Sequence, residues 1–127
     1  MALDSSYQCI SLPFESEGDL SAKQYYGVKG GTAAHQVVIA TAGACRGIVQ
    51  NDPSTGEAAD VALLGPCKAI VDGNAGAIAF GDPLTTDAAG KLVKDTTDNK
   101  QICAIALEAS TADGDIIAAF ALPGLRY

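Results

Sequence analysis

His35 is the only histidine in the chain, so a nucleophilic pair would have to join it to a thiol. A Cys–His dyad needs both groups within hydrogen-bond reach. Cys9, Cys45, Cys67 and Cys103 are all available, and nothing local selects one of them. None makes a C-x-x-C, so a zinc site has no local signature. Asp52, Glu57 and Asp60 lie close enough in sequence for an acid pair or, with Asn51, for a calcium loop. Their spacing departs from an EF-hand, and carboxylates in turns usually serve as solvated caps. Gly27, Gly30 and Gly31 lack both the G-x-G-x-x-G spacing and the following helix of a phosphate loop. The general signatures of catalysis are missing. These residues predict no catalytic centre, no metal site and no cofactor.

The tyrosines stand out more. Tyr7, Tyr25, Tyr26 and Tyr127 belong to a chain with no tryptophan, and aromatic side chains often anchor interfaces. Tyr25 and Tyr26 are equally consistent with packing inside a sheet, and both readings stay open.

The elements that would position these residues are short strands. In the central stretch, Gly47 to Gln50 reads as a first strand. Asn51 to Gly56 then supplies turn chemistry: Pro53 pre-sets its own φ, and Asn51 and Asp52 can bond their own backbone. Val61 to Leu64 reads as a second strand. Gly65-Pro66 predicts a break, because proline cannot donate to a sheet ladder. Cys67 to Val71 reads as a third strand. Before this stretch, Lys23 to Lys29 is a strand candidate with Tyr25 and Tyr26 on opposite faces. Gln36 to Thr41 reads as a buried strand. After it, Leu84 to Thr86 and Lys91 to Lys94 pair as a hairpin with a longer loop. Ala77 to Phe80 is short and ambiguous. Gln101 to Glu108 fits strand better than helix. Ile116 to Leu122 is apolar on both faces, as in a central or covered strand, and Pro123-Gly124 should end it. Together these predict an all-β fold, a small β-barrel or β-sandwich of roughly seven to nine strands.

Composition sets the outer bounds. A chain of 127 residues is most simply one domain. Its hydrophobic fraction of 48% is rich in alanine, which predicts a thin core of small and β-branched residues. Such a core gains from further burial in an oligomer or on a partner. The net charge of -7 argues against nucleic acid, which needs clustered lysine and arginine, and against an anionic membrane surface. No apolar run approaches the roughly 20 residues that span a bilayer. The start MALDSSYQC has no basic or apolar run, so no signal peptide is expected. The cysteines are expected to be reduced and buried.

Residues 1–22 differ from the rest. They hold Asp4, Glu15, Glu17 and Asp19 but no lysine or arginine. Tyr7, Ile10, Leu12 and Phe14 are interspersed, and Pro13 blocks a regular helix. This composition predicts an extended N-terminal arm, 1–22, with apolar anchors but no core of its own, ahead of a β-rich domain, 23–127. Its anchors, with Tyr25 and Tyr26 on the adjacent strand, are the candidate partner-binding residues.

The succession GDLSAKQYYGVK, GIVQNDPSTGEAADVALLG, GDPLTTDAAGKLV and AIALEASTADGDII, covering residues 18 to about 122, resembles the small decoration, cement or head-stabilising proteins of tailed bacteriophages. The resemblance implies a non-enzymatic β-rich protein of the virion. It would be made in the host cytoplasm, sit on the outer surface of the capsid and clamp neighbouring major capsid protein subunits, commonly as a homotrimer. It also implies that Gly56-Glu57, Gly81-Asp82, Asp87, Gly90 and Gly114-Asp115 are structural turn positions. Two readings from other classes stand beside it. One is a small ligand- or carbohydrate-binding β-module, which the lack of tryptophan disfavours. The other is a cysteine-dependent enzyme, which needs His35 beside a thiolate.

Overall fold

The structure, a computed structural model, describes residues 9–95 and 101–126. The described residues form nine strands and no helix: β1 Ile10–Ser16, β2 Gly27–Gly30, β3 Gln36–Ile39, β4 Gly47–Val49, β5 Ala58–Asp72, β6 Pro83–Thr86, β7 Leu92–Lys94, β8 Gln101–Ala106 and β9 Asp113–Arg126. The all-β expectation holds.

The strands close into two circuits that share β5. In the first, β1 runs antiparallel to the early half of β5 and parallel to β3. β3 pairs with β2, β2 with β4, and β4 returns to β5 at Ile48–Ala62 and Val49–Val61. In the second, the late half of β5 pairs with β9 from Gly65–Ala121 to Asp72–Asp113. β9 pairs with β8, β8 with β6 and β6 with β7, which closes onto β5 at Val71–Leu92. β6 and β7 are the hairpin expected from the sequence.

Each circuit carries a core. Leu20, Val28, Val37, Val49, Ala59 and Val61 fill the first, with Phe14, Ile39 and Leu63 packed against them. The second, larger core takes Leu84, Leu92, Val71 and Ile117 from its own strands and Ile48 and Ala62 from the first circuit. Alanine and cysteine make up most of it, and no aromatic ring enters. The thin core expected from composition is therefore present. Burying each Leu or Ile contributes roughly 1.5–3 kcal/mol, so the few large residues carry most of the apolar stabilisation.

Three expectations need correction. Gly65-Pro66 does not break the chain; it lies inside β5. Lys68 gives its backbone N–H and C=O to the Gln50 side chain, and the Ile70 N–H donates to the Tyr25 carbonyl. Residues 66, 68 and 70 thus turn these groups away from β9. Proline's missing N–H falls on that side, where no ladder requires it. Gly65 supplies the bend, with φ of 110°. Pro123-Gly124 likewise lies within β9 rather than ending it.

Tyr25 and Tyr26 precede β2 and stand in a turn, Tyr25 with φ of 72°. Their backbones are spent on that turn: the Tyr25 N–H donates to Val49, and Tyr26 accepts from it. Ile10–Ser16 is extended and pairs within its own chain, closing the first circuit. Ser16 at its end is fully buried.

Turn chemistry follows the sequence. Gly56, Gly81 and Gly90 have positive φ in turns, whereas Gly114, also with positive φ, lies inside β9 where its register with β5 shifts, rather than in the turn expected there. Glu57 accepts from the Ser54 N–H, Asp82 from Ala79, and Asp87 from Ala89 and Lys91. Each carboxylate replaces a backbone acceptor that the turn cannot supply.

Candidate interaction surface

The groups with chemical potential are kept apart. His35 is exposed on the turn between β2 and β3, whereas Cys45, Cys67 and Cys103 are buried in the larger core, with Cys9 against it. Burial pushes the Cys67 thiol up to about 12, helped by the charge that nearby Cys9 would carry. Burial and the hydrogen bond with Cys45 also raise Cys103. These thiols stay protonated, and no buried one can meet an exposed imidazole to form a dyad. Glu57 is a turn cap and the Asp60 N–H donates to Asn51. Among the described residues no group of His, Cys, Asp or Glu could hold a metal ion.

What the fold does present is an apolar sheet face. Residues directly opposite one another on antiparallel strands project to the same side. In the second circuit Cys67, Ala119 and Ala106 share the buried side, as do Ala69 and Ile117. The opposite side holds the row Pro66–Phe120–Ile105, then Lys68–Ala118, then Ile70–Ile116. Ile116 is 46% exposed and Phe120 36%. On the other side of the bend at Gly65, Leu64 is 38% exposed and its partner across the ladder is Ile10 of β1, at 58%. These two form a separate exposed apolar pair on the first circuit. Lys68 is the one charged side chain in these rows, and its ammonium lies 5.9 Å from the Tyr25 ring centroid.

This layout sorts the sequence candidates. Ile10 lies in the exposed pair with Leu64, and Tyr25 borders the sheet face through Lys68. Leu12 is exposed on β1, while Phe14 packs on the smaller core. Tyr26 is half-buried, with the Lys23 ammonium 4.8 Å from its ring centroid, a cation–π contact. Tyr7 and Tyr127 lie outside the described residues. Sequence reasoning missed Leu64, Ile116 and Phe120 as surface residues. It also missed Phe80, a turn residue 74% exposed. The double-sided apolar pattern of β9 was the available signal, but it reads equally as a strand covered on both faces.

A comparison with curated protein sequences finds no match. Among solved structures, the fold is similar to the N base of the head fibre gp8.5 of bacteriophage phi29. The TM-score is 0.65 at 17% identity, over 91% of this chain and 95% of that chain. At such identity the likeness establishes the shared fold. The sequence itself carries the family: residues 15–121, which run from the end of β1 to the body of β9, match the profile described as phage cement protein, and the chain belongs to that family.

Proposed function

We propose that the chain cements a phage head from outside, attaching to the outer surface of the capsid and holding neighbouring major capsid subunits together as a homotrimer. Family membership supports a structural role at the head. The observation that carries the contact is the apolar face around Ile116 and Phe120. It is nearly free of charge and built on paired strands, so little ordering entropy is lost when a partner covers it. Ile10, Leu12 and Tyr25 form its margin on the arm side. Phe14 and Tyr26 serve the chain's own packing there.

Undecorated heads provide the test. Phe120→Asp combined with Ile116→Asp should weaken co-sedimentation with heads by about tenfold or more, since each buries a charge in an apolar contact. Both side chains are partly exposed, so the free chain should keep its fold by circular dichroism. Unchanged binding would move the contact elsewhere. A reconstruction of decorated heads reads the symmetry, and isolated single copies would exclude the trimer.

A further inference from the structure

The wall of the first circuit is incomplete. β4 is its shortest strand, and its ladder with β2 ends at Val28–Gly47. β2 runs on to Gly30, still paired with β3, and β5 runs on past Ala62. Where β4 is present it separates β2 from β5 by two strand spacings, about 9.5 Å. Beyond Gly47 that spacing is left without a strand. A cavity of ≈ 300 Å³ opens there, walled by Phe14, Val28, Val37, Val61 and Leu63.

Two features suit this slot to an incoming chain. The first is a free edge. Val28 turns its carbonyl to β4, where the Arg46 N–H takes it, and Gly31 turns its N–H to β3. By alternation the Gly30 N–H and C=O face the slot. Gly30 also pairs with Val37, a core residue, and a Cβ built on Gly30 would meet nothing within 4 Å. The cavity is partly the room of a side chain that glycine does not supply.

The second feature is charge. Lys29 and Arg46 line the cavity, and no aspartate or glutamate does, in a chain of net charge -7. Glu15 and Glu17 lie on the adjoining strand and bend, bonded to Gln36 and Thr32. Lys29 reaches Thr41 at 3.4 Å. The Arg46 guanidinium is exposed and makes no ion pair with a described residue.

We propose that this slot receives an extended segment of a shell subunit. That segment pairs its backbone with Gly30 in line with β4, seats one apolar side chain in the cavity and sets a carboxylate against Arg46. Strand addition of this kind draws affinity from main-chain hydrogen bonds and selectivity from the pocket. The inference rests on the reading that the protein decorates heads, and it adds a second contact of opposite character to the apolar face.

The experiment uses undecorated heads as the probe and two single variants of the full chain. Gly30→Leu fills the cavity without backbone strain. As a free chain it should unfold at the same or a higher temperature, yet bind heads about tenfold or more weakly. Arg46→Glu should lower affinity comparably, because it sets like charges together; Arg46→Gln is the substitute should the reversal disturb folding. A reconstruction of heads decorated with the natural chain should show a shell segment between β2 and β5. If the natural chain fails to decorate heads, the decoration reading falls. If it decorates and both variants match it, only the slot falls. An empty slot, or one filled by the N-terminal residues of a neighbouring copy, would also overturn it.

Discussion

Cys67 is where burial has the clearest energetic consequence at a single residue. Its thiol is raised from an ordinary value of 9.0 to about 12, with loss of solvent the largest cause and Cys9 the next. A raised pKa means the folded chain holds its proton longer than the unfolded chain does. That stabilisation is complete below pH 9 and is lost as pH rises towards 12, by at most about 1.4 kcal/mol per pH unit. Urea titrations under reducing conditions should therefore show the natural chain losing its advantage over Cys67→Ala between pH 9 and 12. A gap that stays constant would mean that Cys67 ionises as freely in the folded chain as in the unfolded one. At this scale the sequence named chemical groups without their partners. His35 could have met any of the four cysteines, and the fold puts it on an exposed turn while Cys45, Cys67 and Cys103 lie in the larger core. The sequence was silent on Arg46 and Gly30, because neither residue means anything until β2, β4 and β5 are placed around them.

At the scale of elements, two long strands were read as shorter ones for the same reason. Proline removes a donor, but only one side of a strand uses donors at any given residue. Which side is free depends on neighbours that the local sequence does not name. Gly65 carries the bend that lets β5 pass from one circuit to the other. Forcing a Cβ into its φ of 110° should cost roughly 1–3 kcal/mol. Urea denaturation of Gly65→Ala would measure this, and a cost near zero would show that the backbone relaxes elsewhere. β1 was legible as an extended segment with apolar residues, yet its partner was not, since strand pairing leaves no local trace. The structure gives it the seam between β3 and β5. A chain beginning at Cys9 should unfold cooperatively, like the full chain. One beginning at Gly18 lacks β1 altogether and should lose its cooperative thermal transition. Retention of that transition would mean the barrel closes without it.

At the scale of the molecule, the all-β class, the thin core and the family were readable from turn residues, alanine content and the order of motifs. The two circuits were not, because their defining strand looked like two. That shared strand has a kinetic consequence. β5 pairs with residues as early as Ile10 and as late as Ala121, so neither circuit is finished until distant parts of the chain have met. Contacts so far apart in sequence make for slow folding, on the millisecond-to-second scale of β-rich domains. They also tie the two halves into one unit that opens all at once. In deuterium oxide, the amides of Val61 and Ala69, one in each circuit, should then exchange at the same slow rate, set by global unfolding. Two distinct rates would show that the circuits come apart one before the other.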